Sequence, residues 1–223
     1  MHISLIMPIP FLHPASIMIT GPSGSGKTVF IRRLITENMI YPNPERIVIV
    51  YGEWQKEYEK LAQFDSNIEF IKGPMSLDLY NSFSPEKRNL LILDDQLIEA
   101  AKSDQVEKYF VQGSHHRNLT IALITQNIFE KGKAMRTSNL NTQYLVVYKN
   151  PRDKGQASFL GRQMFPSKWK NFLGALEDAT KEPYSYLIVD LKPDTPEEFR
   201  LRSNIFPVCE KDEAIGTNVY IIP

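Results

Sequence analysis

The sequence predicts an α/β domain with a mostly parallel sheet, and three observations carry that prediction. Gly21-Pro22-Ser23-Gly24-Ser25-Gly26-Lys27-Thr28 is a full match to G-x-x-x-x-G-K-[ST]. Near-continuous apolar runs recur along the chain, the pattern of strands covered on both faces. Helix-like segments separate those runs, as right-handed βαβ crossovers require.

Ser16 to Thr20 (S-I-M-I-T) reads as a buried strand, and Val29 to Ile35 continues with apolar residues at helical spacing. Strand, Gly-rich loop and helix therefore stand in the order that a phosphate-binding loop needs. Arg46 to Tyr51, Ile68 to Ile71, Asn89 to Asp94, Leu119 to Thr125 and Gln143 to Tyr148 are the further strand candidates. Glu53 to Ala62, Asp104 to His115, Lys154 to Met164 and Ser167 to Ala179 are the helix-like segments between strands. Tyr184 to Asp190 adds one more strand, Lys192-Pro193-Asp194-Thr195-Pro196 reads as a turn, and Leu201 to Ile205 is a last extended piece. The chain has no internal repeat and no low-complexity tract.

At 223 residues one domain is expected over 1–223, with 1–14 as a lead-in, 15–191 as the core and 192–223 as a C-terminal extension. The single cysteine, Cys209, excludes a disulfide framework, and a reducing intracellular compartment fits. The N-terminus is apolar, but Pro8, Pro10 and Pro14 interrupt it and it lacks a basic flank, so neither a signal peptide nor a membrane span is expected. Net charge is zero, yet it is unevenly spread. Residues 1–112 hold 11 Lys+Arg and 14 Asp+Glu (net −3), residues 113–170 hold 10 and 2 (net +8), and residues 171–223 hold 5 and 10 (net −5). The basic middle third is either a solvated face or a surface for phosphates, of nucleotide or DNA.

The motif residues predict specific chemistry. Small residues from Gly21 to Gly26 let backbone N–H groups turn around a polyphosphate, and the contact continues through Lys27, Thr28 and Val29 at the helix start. Lys27 can reach the β and γ phosphates of ATP, and the Thr28 hydroxyl can ligand Mg²⁺. Leu90-Leu91-Ile92-Leu93-Asp94-Asp95 is an apolar strand ending in two carboxylates, as in a Walker B element: Asp94 to assist the metal, Asp95 to polarise the attacking water. The strand Leu119 to Thr125 ends in Gln126, which can hydrogen-bond the attacking water or the γ-phosphate and so report hydrolysis; a polar strand terminus that satisfies local backbone groups is the other reading. Arg117 is the first choice for an arginine finger donated to a neighbouring subunit, with Arg136, Arg152 and Arg162 as rivals. His115 and His116 read as packing or hydrogen-bonding residues, since adjacent helical positions do not face one metal. Lys131, Lys133 and Arg136, with Gly132 for flexibility, form a candidate DNA-gripping loop; a solvated surface is the other reading.

Together G-P-S-G-S-G-K-T, L-I-L-D-D-Q, G-S-H-H-R-N-L-T-I-A-L-I-T-Q-N-I-F and K-N-P-R-D-K resemble the genome-packaging ATPases of double-stranded DNA viruses and Maverick/Polinton-type elements, poxvirus-like and adenovirus-like, in the FtsK-HerA branch of P-loop motors. The resemblance spans about residues 15–206. It implies a P-loop NTPase of the ASCE, RecA/FtsK-like type: a three-layer α/β/α sandwich with core strand order 5-1-4-3-2. It further implies a homo-oligomeric ring at a capsid portal or vertex that hydrolyses ATP with Mg²⁺ and moves duplex DNA, in the nucleus or cytoplasm of a host cell or with the virion. By position it assigns phosphate and Mg²⁺ to Lys27 and Thr28, the metal to Asp94, water activation to Asp95 and sensing to Gln126. Cellular relatives usually carry Glu where this chain has Asp95. A nucleoside or small-molecule kinase and an ATP-binding assembly scaffold remain alternatives. A kinase would carry an Arg-rich lid, and a scaffold would not depend on Asp95 or Arg117.

Overall fold

The structure, a computed structural model, describes residues 2–5, 7–94, 108–128, 137–138, 140–206, 208–210 and 213–222. The chain opens with β1 (His2–Ser4) and β2 (Phe11–Leu12), then β3 (Ser16–Thr20), α1 (Lys27–Thr36), β4 (Ile40–Tyr41), β5 (Arg46–Tyr51) and α2 (Lys56–Phe64). It continues through β6 (Glu69–Lys72), α3 (Leu77–Ser82) and β7 (Asn89–Leu93). A π-helical turn, Lys108–Gln112, runs into α4 (Gly113–Arg117), followed by β8 (Leu119–Thr125) and β9 (Tyr144–Tyr148). The remainder is α5 (Lys154–Met164), α6 (Trp169–Ala179), β10 (Tyr186–Asp190), a short 3₁₀ turn at Glu197–Phe199, β11 (Leu201–Ser203), β12 (Val208–Glu210), β13 (Glu213–Ile215) and β14 (Asn218–Tyr220).

Strands 16–20, 46–51 and 119–125 have the bounds their apolar runs predict, because such runs are stable only where both faces are covered. The helix expected over 104–115 begins, among the described residues, at the π-helical turn; positions 104–107 lie outside them.

Ten strands form the main sheet in the order β1-β14-β11-β10-β9-β3-β8-β7-β5-β6. From β9 to β6 all pairings are parallel. Numbering the strands that start at 16, 46, 89, 119 and 144 from 1 to 5, the core runs 5-1-4-3-2.

Side-chain alternation divides the core into two layers of contact. Ile17 and Ile19 of β3 pack on one side with Phe30, Ile31 and Leu34 of α1 and with Tyr58 and Leu61 of α2. Met18 points to the other side, among Leu79 and Tyr80 of α3, Leu160 of α5, and Phe172 and Leu176 of α6. The sheet is thus the middle of three layers.

One connection departs from the expected crossovers. β10 runs antiparallel to β9. The reason is that two helices, not one, link them: α5 carries the chain away from the end of β9 and α6 brings it back, so the next strand must start at the edge where β9 finished. The helix pair is close-packed, since a Cβ at Gly161 of α5 would lie 2.8 Å from Phe172 Cδ1 of α6. Beyond β10, the antiparallel strands β11, β14 and β1 extend the sheet, so residues 2–4 and 218–220 pair with each other at its edge. Sequence patterning does not predict β1 or β14, because strands of three residues are too short to show a periodic signal.

Asp190 and Arg202 fix the antiparallel extension. Arg202 Nη2 donates to Asp190 Oδ2 at 3.0 Å with both side chains buried, while Asp190 Oδ1 accepts from the Lys192 N–H at 3.1 Å. Removing one partner leaves a buried ion without its counter-ion. Asp190→Ala should therefore cost about 3 kcal/mol of unfolding free energy, read as a lower urea midpoint, whereas the double change Asp190→Ala, Arg202→Met should cost less than the single one.

Candidate nucleotide site

Parallel strands deliver all their following turns to one edge of the sheet, and the candidate site lies there. The turn after β3 is the Gly-rich loop. Gly24 and Gly26 have φ of 77° and 100°, left-handed values that a side chain resists. The Gly21 N–H donates to Thr125 O at 3.2 Å, which ties the loop to the end of β8. On its other side, a Cβ at Gly21 would stand 2.5 Å from Tyr148 Cβ, so only glycine fits.

The loop leads into a helix whose positive end is left open to an anion. Gly26, the residue before α1, offers no side chain to cap it, and no acidic residue occupies its first turn, whereas Arg33 sits in its last. The N–H groups that open a helix lack intrahelical acceptors, and the helix dipole adds partial positive charge there. Lys27 is only 9% exposed. Its Nζ donates to Gly21 O at 2.5 Å and Pro22 O at 3.0 Å, so the cation lies folded over the loop. Ser25 Oγ is buried with no hydrogen-bond partner among the described residues, an orphaned acceptor and donor in a cradle that a phosphate would satisfy.

Asp94 follows β7, which is two strands from β3 and hence roughly 10 Å away by strand spacing. Gln55 bridges that gap. Thr28 Oγ1 donates to Gln55 Oε1 at 2.6 Å, and Gln55 Nε2 donates to Asp94 Oδ2 at 3.2 Å. The Tyr58 hydroxyl donates to the same carboxylate oxygen at 3.4 Å. Burial, reinforced by the Asp94 charge, pushes the Tyr58 hydroxyl well above its ordinary pKa, which keeps it a donor. The Thr28 hydroxyl, Gln55 amide oxygen and Asp94 carboxylate are hard oxygen ligands of the kind Mg²⁺ prefers. Among the described residues no three His, Cys, Asp or Glu side chains cluster.

Gln126 is exposed just past β8 and shares a cleft of about 520 Å³ with Thr20 and Gly21, next to the loop. The turn holding it is pinned to α5: the Ile128 N–H donates to Gln156 Oε1 at 3.0 Å, and Gln156 Nε2 donates to Asn127 Oδ1 at 3.3 Å. A second cavity, of about 580 Å³, opens along α1 on the side of Val29.

Arg117 lies elsewhere. It precedes β8, the length of that strand from Gln126, roughly 20 Å. Its guanidinium donates to Phe83 O and Asn81 Oδ1, each at 3.3 Å, and stands 5.2 Å from the Tyr80 ring. It cannot reach its own chain's loop. Among its rivals, Arg152 is exposed in the turn after β9, at the loop's edge of the sheet, and Arg162 stacks 4.5 Å over Trp169. Asp95, Lys131, Lys133 and Arg136 lie outside the described residues.

Sequence reasoning missed Gln55 and Tyr58, and it named Tyr148 and Tyr184 only as strand residues. Gln55 carried a usable signal, because it occupies the turn after β5 and such turns gather at the same edge as the loop.

No protein-family model matches the chain. Over 105 residues it is 29% identical to "Packaging protein 1" of Snake adenovirus serotype 1, a stretch that covers 46% of this chain and 24% of that protein. The chain therefore spans about a quarter of the length of this curated relative. Among solved structures it shares the fold of the genome packaging NTPase B204 from Sulfolobus turreted icosahedral virus 2. The sulfate complex superposes with a TM-score of 0.59 at 15% identity, covering 81% of this chain and 93% of B204. The complex of B204 with ATP-gammaS gives a TM-score of 0.53 at 14% identity over 81% and 94% of the two chains.

Gly21→Ala tests the cradle directly. Its Cβ would meet Tyr148 Cβ at 2.5 Å, backed by a buried ring with little freedom to shift. Binding of inorganic tripolyphosphate, measured by calorimetry, should fall at least tenfold, and the melting temperature should drop by several degrees for a strain of about 1–3 kcal/mol.

Proposed function

We propose that this chain is an ATP-hydrolysing motor that packages viral double-stranded DNA into a capsid, working as a ring with ATP held between subunits. The observation that carries this reading is the junction of the phosphate loop with Asp94 through Gln55, on the fold that B204 has. The stretch similar to an adenovirus packaging protein supports the packaging role over other uses of the same loop. Pairing of residues 2–4 with 218–220 supports reading 1–223 as one ATPase unit. Among the described residues no helix is long and apolar enough to cross a membrane. Partners on this reading are duplex DNA, a capsid or portal protein and further copies of the chain, in the infected cell or with the virion.

In this proposal the loop from Gly21 to Gly26 and the first turn of α1 through Val29 hold the triphosphate. Lys27 releases Gly21 O and Pro22 O to reach the β and γ phosphates. Thr28 and Asp94 would hold Mg²⁺, and Gln55 joins the two by accepting from Thr28 and donating to Asp94. The ion, when bound, neutralises charge on the phosphate oxygens. Asp95, the neighbour of Asp94, takes the proton of the attacking water. Gln126 senses the γ-phosphate, and because its turn is pinned to Gln156, a shift there is passed to α5. Arg117 acts in trans, the one way open to a residue at the far end of β8. Lys131, Lys133 and Arg136, which follow the sensor turn in sequence, grip DNA phosphates without reading bases.

Duplex DNA should raise the ATPase rate about tenfold at low salt, and the stimulation should fade as salt rises and phosphate contacts are lost. Lys27→Ala should abolish turnover with and without DNA. A rate indifferent to DNA at every salt concentration would favour a kinase or an ATP-binding scaffold. For the trans assignment, mixing Arg117→Ala chains with Lys27→Ala chains should restore part of the turnover that neither variant has alone, and no restoration would count against Arg117.

A further inference from the structure

Tyr184 is an aromatic residue kept out of the core by its own backbone. Its φ is 64°, in the left-handed region that bulky side chains avoid, and the residue is 72% exposed. The aromatic residues nearest it on the sheet, Tyr148 and Tyr186, are buried. Its turn is closed on Glu182 O, which accepts from the Ser185 N–H at 3.3 Å and the Ser185 hydroxyl at 2.5 Å. A strained, solvated ring of this kind needs an explanation beyond packing, and sites where a ligand is clamped are where such strain persists.

The place it is held points to the ligand. A Cβ on Gly26 would lie 3.4 Å from both Cβ and Cδ1 of Tyr184, so the ring rests against the last glycine of the phosphate loop. Gly26, Val29 and Arg33 follow one another along one side of α1, and with Tyr184 they line the cavity of about 580 Å³. Val29 adds an apolar wall, 39% exposed. Arg33 is already paired with Glu37 at 2.5 and 3.2 Å and stacked on Phe206 at 4.4 Å, so this wall is not a second phosphate site. Lys56 and Glu57 also line this cavity, but the part of it beside Gly26 offers a flat aromatic, an aliphatic side chain and a neutralised guanidinium, which suit a planar, uncharged heterocycle adjoining a phosphate cradle.

We propose that Tyr184 is the platform on which the base of the bound nucleotide stacks, with the base and sugar in the cavity between Tyr184 and Val29. This rests on the phosphate-loop reading given above. The lead-in to β10 supplies the platform, and the ring, not its hydroxyl, makes the contact.

The test compares inorganic tripolyphosphate with ATP, both with Mg²⁺, by calorimetry on the unaltered chain, Tyr184→Asn and Tyr184→Phe. Asparagine tolerates the left-handed backbone, so that variant should fold. Tyr184→Asn should weaken ATP about tenfold, leave tripolyphosphate unchanged within about twofold, and be matched by Tyr184→Phe binding ATP like the original. The proposal is overturned if Tyr184→Asn keeps its affinity for ATP or loses both ligands in parallel. It is also overturned, with the phosphate loop's role intact, if the unaltered chain binds tripolyphosphate as tightly as ATP. Failure of the unaltered chain to bind either would overturn the phosphate-loop reading and the platform with it.

Discussion

The burial of β3 on both faces is the constraint from which the rest of the structure follows. Every residue of this strand is buried, with β8 on one side and β9 on the other, both parallel to it. A slip of one residue would turn Ile17 and Ile19 away from α1 and drive Met18 into their place. The loop that follows is therefore delivered at one fixed height, between Thr125 O on one neighbour and the Tyr148 ring on the other. Gly21 is the residue that this crowding admits.

Electrostatics then decide what the edge can hold. An uncapped helix start, a buried lysine folded over its own loop and a buried serine hydroxyl without a partner among the described residues leave an excess of donors at the end of β3. Two strands away the sheet presents Asp94, and Gln55 joins the two halves by donating to the carboxylate and accepting from Thr28. Gln55 can do both because an amide carries each kind of group. The bridge also links the turn after β5 to the loop, so a ligand that displaces Gln55 would act on α2 through Tyr58, which shares Asp94.

The half of the sheet beyond β9 has a different logic. The α5–α6 hairpin reverses the chain, β10 runs antiparallel, and the buried Asp190–Arg202 pair fastens β11 to it. That reversal brings the start of β10, not its end, to the edge where the phosphate loop lies. Tyr186 pairs with Tyr148 there, and Tyr184, two residues earlier, lands against Gly26. Had a single helix joined the strands, Tyr184 would have been at the opposite edge, away from the phosphate loop.

By itself the sequence determined the phosphate loop, the strand and helix around it, the apolar strand ending at Asp94 and the alternation that makes a layered α/β sheet. These are local facts: glycine spacing, uninterrupted β-branched runs and helical periodicity all act within a few residues. Tertiary structure decided which distant residues meet. Gln55 is 27 positions from Thr28 and 39 from Asp94, and no periodicity marks it out from other polar turn residues. The direction of β10 likewise came from the packing of two helices against each other and the sheet, and a run such as Y-L-I-V-D reads the same whichever way it points. Strand direction and long-range hydrogen bonds depend on what the chain returns to, which is a property of the folded whole and not of any segment.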